Sequence, residues 1–419
     1  MTRYPRVLIV GTVPYNPEES SRALDTYFHN WPKENLRMIF SNTNIPMKGH
    51  CGSLFQITDH DVLKVFRRKS AECGRIFNYE SLIGSQIKKE DPLKKYKKKT
   101  CLRFYARKML WNKKRWLTQK LIDWVDEFKP EAIYICFSDD YFILDIAEYF
   151  IGKYNIPVIA QIGDDYFFKK YPLIMKPYLR KYKKLFLKIM NYSGFGVYIS
   201  QKLADKYNSF FKLQGYPFYL SSNVKTGEKD INYAFNYIGK IGAGRDKSLM
   251  LLGDVLNKIN PEFVVTIYSQ DKVSNKIRKA FTRHNCIFKG PIKYDDALKM
   301  MQLGSFNIVA SGFSKKNIND TRYSLSTKVA DSLASPGPII VVGDDGDGAV
   351  DFFKDKNCSI FINSKKPNLK EISAQFLDKK LLYKKIEEAH KLFNELFITS
   401  ENRMKFETLC RKIVCGKDE

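Results

Sequence analysis

Short apolar runs recur along this chain, each closed by Gly, Pro, Ser or Asp and followed by a segment with helical spacing. Arg6-Val-Leu-Ile-Val10 ends at Gly11 and reads as a first strand; Ser20-Ser21 then caps a helix through Trp31, and Asn35–Phe40 is a second strand. This is the opening βαβ unit of a doubly wound parallel sheet. Pro130–Phe137 and Ile156–Ile162 are strands around a helix over Asp139–Tyr154; Gly194–Ser200 is a strand and Gln201–Phe210 a helix. The polar stretch Ser221–Asn232, with Gly227, reads as a hinge.

The alternation then starts again. Strands are expected from Ala234 to Ile238 and over Phe263–Ser269, Cys286–Gly290, Asn307–Ser311, Pro338–Val342 and Ser359–Asn363. Helices are expected from Ser248 and over Asp271–His284, Tyr294–Leu303, Ser326–Ala334, Lys379–Phe397 and Arg403–Val414. A polar loop fills the stretch up to Leu325, and Asp344–Gly348 reads as a tight turn. The pattern predicts an α/β protein with two Rossmann-like, doubly wound parallel-sheet domains, in which ligands bind beyond the strands' carboxyl ends. The domains are drawn at 1–222 and 223–396, with 397–419 as a terminal helix.

Two motifs in the second half carry chemistry. Ser326 or Thr327 caps a short helix with Lys328 in its first turn and Asp331 one turn on. A helix start offers N–H groups and a positive dipole end to an anion, phosphate above all. A cation beside a carboxylate suits a nucleotide, the Lys on its phosphates and the Asp on its ribose. Equally, Asp331 could serve only the dipole and Lys328. The second motif, Gly242-Ala-Gly244-Arg245, follows a strand and precedes a helix, so glycine backbone can approach a ligand while Arg245 forks onto phosphate. Asp164 and Asp165, at a strand's carboxyl end, suit a general base or a ligand for an acceptor hydroxyl, or simply a helix cap.

The segment Ser326-Thr-Lys-Val-Ala-Asp-Ser-Leu-Ala-Ser-Pro-Gly-Pro338 resembles the donor-binding segment of bacterial group 1 (family 4-like) glycosyltransferases of the GT-B fold. The resemblance is strongest over 234–350, moderate over 130–222 and weak over 43–128. It implies a retaining, metal-independent enzyme that moves a sugar from a nucleotide-sugar donor to a lipid-linked or oligosaccharide acceptor in cell-surface polysaccharide synthesis. By resemblance Lys328 contacts the donor diphosphate and Asp331 the ribose, while Gly242, Gly244 and Arg245 form the diphosphate loop. Lys240 stands near a frequent Arg, Ile292 edges the base pocket, and Ser326 and Thr327 belong to the same donor segment. Asp164, Asp165, Arg245 and Lys328 are then the candidate catalytic residues, with no metal ligand and no cofactor beyond the donor. By the same resemblance the two domains would face a central cleft and the last helix would cross back to the first domain. Two positions depart from the family: Asp331 replaces a usual Glu, and Tyr323 stands where many members place a sugar-contacting Glu. A GT-B epimerase or hydrolase of nucleotide sugars, and a non-catalytic membrane- or nucleic-acid-binding protein on the same fold, are the alternatives.

Composition changes this picture in one respect. A hydrophobic content of 44% and a charged content of 28% are ordinary for a globular chain of 419 residues, but the net charge of +26 implies an acidic partner, or else lysine spread over solvated faces. Lysine and arginine cluster over Lys88–Arg115 and Lys176–Lys188, interleaved with aromatic residues such as Phe104, Trp111, Trp116, Tyr178 and Phe186. Such stretches suit an anionic membrane surface, or are amphipathic helices packed on the sheet. No RRM, KH, zinc-finger or clear helix-turn-helix signature accompanies the charge, so nucleic acid is the weaker partner. The eight cysteines form no CxxC pair, which fits reduced thiols, and no apolar run reaches a membrane span. The expected location is cytoplasmic, peripheral on the inner face of the cell membrane.

Overall fold

The computed structural model describes residues 3–12, 22–42, 50–68, 71–78, 100–365, 367–397 and 399–416. Its contacts divide the chain into Met1–Phe218 with Thr399–Glu419, and Tyr219–Ile398.

The first unit runs β1 (Val7–Val10), α1 (Ala23–Tyr27), β2 (Leu36–Phe40), β3 (Ser53–Gln56), α2 (Asp59–Arg67), β4 (Arg75–Asn78), α3 (Cys101–Leu110), α4 (Lys113–Trp116), α5 (Gln119–Phe128) and β5 (Ala132–Phe137). It continues with α6 (Tyr141–Tyr154), β6 (Val158–Ile162), α7 (Lys176–Met190), β7 (Ser193–Tyr198), α8 (Gln201–Phe211) and β8 (Gly215–Pro217). The sheet order is β4-β3-β2-β1-β5-β6-β7-β8, and only β4 is antiparallel. Every residue of β1 and β6 is buried, as strands covered by helices on both faces require. Side-chain caps set the starts of α2, α3, α5 and α8: Thr58, Thr100, Thr118 and Ser200 each accept from an N–H three residues on. The helix Thr399–Cys415 closes this unit and buries Phe406 among Tyr27, Phe28 and Phe218.

The helix expected through Trp31 stops at Tyr27. Ser20 and Ser21 lie outside the described residues, as do residues 88–99 of the first basic cluster. Strands β3 and β4 were not foreseen: both are short, and β4 exposes Ile76 at the sheet edge.

The second unit runs β9 (Asn232–Ile238), α9 (Arg245–Ile259), β10 (Val265–Tyr268), α10 (Asn275–Arg283), β11 (Cys286–Gly290), α11 (Tyr294–Met301), β12 (Ser305–Ala310) and α12 (Lys315–Thr321). Then follow α13 (Thr327–Ala334), β13 (Ile339–Val342), α14 (Gly348–Phe353), β14 (Ile360–Ile362), α15 (Leu369–Leu377) and α16 (Lys379–Leu396). The all-parallel order β11-β10-β9-β12-β13-β14 is the Rossmann order, and it reverses between β9 and β12. Alternate residues of β12 serve opposite faces: Phe306 and Ile308 pack with Leu252 and Leu256 of α9, whereas Val309 packs with Val329 and Leu333 of α13.

Helix α9 begins at Arg245, ahead of the expected Ser248. Helix α12 lies within the expected polar loop. None of its residues is buried, so it leaves no apolar stripe to read, and Ser314 supplies its cap. Helices α14 and α15 were also missed.

Candidate functional site

The carboxyl ends of β9 and β12 flank the point where the second sheet reverses, the place where such sheets bind ligands. The chain leaves β9 through Gly239, at φ +145°. A Cβ there would lie 2.2 Å from Cε and Nζ of Lys328, so a larger residue would displace the end of that side chain from where it now lies. Lys328 is half-buried as a residue, but its ammonium is the enclosed end, 3.9 Å from the ring centroid of Tyr237 on β9. Burial, then the nearby positive charge of Arg245, push its pKa down to about 7, against the opposing pull of Asp331 and Asp271. Two cations thus share one small region at the switch point.

Arg245 is placed by the turn before it. Ala243 and Gly244 both take left-handed backbone, at φ +61° and +81°, and Gly244 is the helix cap. Arg245 Nε donates to the Ala310 carbonyl at the end of β12 (3.2 Å), and Nη1 to the Gly242 carbonyl (3.3 Å). Asp271, just past β10, accepts from Ile241 N (2.8 Å) and Gly242 N (3.4 Å) and so shapes the loop. Gly242 is exposed, with open space where a Cβ would stand. Lys240 is exposed, its carbonyl taking the Tyr237 hydroxyl. Ile292, past β11, is half-buried.

Ser326 caps α13 through Lys328 N, and Thr327 is the first helical residue. Both α9 and α13 start at the carboxyl edge of the sheet, so both positive dipole ends open there. Asp331 is 7% exposed and accepts from Ser222 Oγ at 2.7 Å. The structure therefore gathers Arg245, Lys328 and the 242–244 loop. It adds four residues that sequence reasoning missed: Tyr237, Gly239, Asp271 and Ser222. Gly239 at a strand end and Asp271 just beyond the next strand were the signals available.

Asp345 and Asp347 have separate partners. Asp347 is 2% exposed, caps α14 and accepts from Ser311 Oγ, whereas Asp345 pairs with Lys354. Among the described residues no cluster of three or more His, Cys, Asp or Glu could hold a metal ion.

In the first unit, Asp164 is exposed and accepts from the Tyr166 hydroxyl at 3.3 Å. Asp165 is committed elsewhere. Its carboxylate takes Lys206 Nζ (2.7 Å), the Tyr207 hydroxyl (3.1 Å) and Phe168 N (3.1 Å), bracing the loop after β6 against α8. The described part of the first basic cluster forms α3 and α4, and the second forms α7. Their aromatic residues do not face outward: Phe104, Trp111, Trp116, Tyr178 and Phe186 are all buried in the unit's core. Among the described residues no helix is long and apolar enough to cross a membrane.

No family model and no curated protein matches the chain. Solved structures do. Sucrose-phosphate synthase of Thermosynechococcus elongatus aligns over 99% of this chain and 100% of its own, at 10% identity and a TM-score of 0.62. HepE of Anabaena, in complex with UDP and glucose, aligns over 97% and 99%, at 10% identity and a TM-score of 0.60. The fold is GT-B. A glycosyltransferase of Rickettsia africae with a TM-score of 0.55 aligns over 99% of both chains at 10% identity. Likeness at this identity establishes the GT-B architecture, with Arg245 and Lys328 in its second Rossmann-like unit.

Proposed function

We propose that this GT-B protein is a retaining, metal-independent glycosyltransferase. It moves a sugar from a nucleotide donor to a lipid-linked or oligosaccharide acceptor in cell-surface polysaccharide synthesis. It works in the cytoplasm, peripherally on the inner face of the membrane. The observation that supports this most is the meeting of Lys328 and Arg245 at the switch point of a Rossmann-order sheet. Two cations at one place repel each other, and a diphosphate between them would relieve that repulsion. As the glycosidic bond to the donor breaks, negative charge grows on the leaving diphosphate. Preplaced cations and two helix starts stabilise that charge without a metal.

In this reading Gly242, Gly244, Ser326 and Thr327 bring backbone to the phosphates and Lys240 adds charge at the rim. Asp331, steadied by Ser222, takes the ribose hydroxyls, and Ile292 edges the base. Asp164 is the acceptor-side carboxylate. Asp165 acts through structure, holding the loop that carries Asp164.

A thermal-shift panel of UDP-, GDP-, ADP- and CMP-sugars tests the reading. UDP-glucose leads the panel because HepE has been solved with it. One donor should stabilise the protein. Lys328→Ala should weaken that donor's binding by about ten- to a hundredfold, the usual worth of a charge-assisted contact. Absence of any shift, or an unchanged affinity in the variant, would remove the assignment.

A further inference from the structure

Leu102, Met109, Leu173 and Ile174 are 78, 76, 83 and 67% exposed. Large aliphatic side chains gathered in water mark a docking surface. Leu102, Ala106 and Met109 share one outward face of α3, at helical spacing. Leu173 and Ile174 sit on a single 3-10 turn between Pro172 and α7. The Tyr105 hydroxyl donates to the Ile174 carbonyl at 2.8 Å and fastens that turn beside α3. Met175, 1% exposed, anchors it from beneath. The turn is therefore held in place while its two aliphatic tips stand in solvent.

The elements that carry these tips are basic, although Asp59 and Asp140 pair with the half-buried Arg107 of α3 and Asp145 lies near Lys108. Lys176, Arg180, Lys181 and Lys184 are exposed on α7, directly after the turn. Neither α3 nor α7 contains an acidic residue. Lys108 of α3 and Lys181 of α7 are near enough to repel, so the basic faces of the two helices adjoin.

We propose that the α3 stripe and the 173–174 turn form a wedge that enters the acyl boundary of an anionic bilayer, with the α7 cations on the lipid phosphates. Aliphatic tips ringed by cations, on a chain of net charge +26, complement a negatively charged, apolar-cored surface. A protein partner fits less well. Its hot spots would be Trp, Tyr or Arg set in pockets, and of the aromatic residues on α3 and α7 only Tyr105 is not buried. The inference deepens the membrane-associated reading above and replaces its aromatic lipid face with an aliphatic one. It concerns binding alone, so it can fail while donor turnover stands, and the reverse.

The test uses the full chain with vesicles of phosphatidylcholine, with and without phosphatidylglycerol. Binding should be about tenfold or more tighter with the anionic lipid and should weaken, but not vanish, at high salt. The double variant Leu173→Ser/Ile174→Ser should lose the salt-resistant part. Both side chains are exposed, so the fold should stay unchanged by circular dichroism. Ile174→Trp, read as a difference spectrum against the parent, should shift to the blue on anionic vesicles and be quenched by brominated acyl chains. Unshifted emission would overturn the wedge. So would serine variants that bind like the parent, or that change only the oligomeric state, which would make the face a contact between copies of the chain.

Discussion

Lys328 is the residue on which the proposed donor site turns, and its environment gives it a testable pH signature. Its folded pKa of about 7 lies well below that of a free lysine. Between pH 7 and roughly 10 the unfolded chain therefore holds a proton that the folded chain has shed, and this group's contribution to stability rises with pH across that window. Below pH 7 the folded state carries the full penalty of an enclosed ammonium. Binding an anion has the opposite demand, since a diphosphate favours the charged lysine and raises its pKa. Donor affinity should then be flat below pH 7. Above it, affinity should fall by up to about tenfold per pH unit until the bound-state pKa is reached. Calorimetry with a nucleotide sugar, in buffers of different ionisation enthalpy, should detect proton uptake above pH 7. Lys328→Met should abolish both the slope and the uptake. A slope that persists in Lys328→Met would assign the titration to another group.

At the scale of elements, the carboxyl edge of the second sheet is held by one buried carboxylate. Asp347 accepts from Ala349 N and Val350 N as the cap of α14, and its other contacts are the hydroxyls of Ser311, past β12, and Thr321, at the end of α12. Asp347→Ala would strand several polar groups in a buried place. It should cost about 3 kcal/mol by chemical denaturation, with Asp347→Asn costing less because one oxygen still accepts. A loss below about 1 kcal/mol would mean that water replaces the carboxylate. This cap also shows what the sequence did and did not disclose. Strands such as Val7–Val10 and Ile339–Val342 are uniform apolar runs, and α13 carries a clear stripe with Ser326 before it, so these elements and the positions of Lys328 and Arg245 were legible. Helix α12 buries nothing, and α9 starts early because Ala243 and Gly244 turn left-handed; neither fact leaves a periodic trace. The partners of the site residues were hidden for a different reason. Tyr237 beneath Lys328, Ser222 on Asp331 and Lys206 on Asp165 are contacts between segments distant in sequence, and no local pattern encodes them.

At the scale of the molecule, the chain builds two cores, and the first is closed by residues that come after the second. Phe406 is fully buried. Its ring lies 5.3 Å from Tyr27, 5.2 Å from Phe28, 5.9 Å from Phe218 and 6.0 Å from Phe195. Arg403 adds hydrogen bonds to the Asp25 and Thr26 carbonyls near the end of α1. A short helix such as α1, with no side-chain cap of its own, gains its stability from this packing. Phe406→Ala should leave a cavity costing about 3–5 kcal/mol. For a unit of this size that lowers the melting temperature by on the order of 10 °C. Chains with two cores commonly melt in more than one step, and the proposed nucleotide-sugar site belongs to the second. Differential scanning calorimetry with and without the donor should therefore separate them: the donor should raise one transition, and Phe406→Ala should lower the other. If the variant instead lowered the donor-sensitive transition by the same amount, the C-terminal helix would be acting on the second core, and the division of the chain into separately cored units would fail.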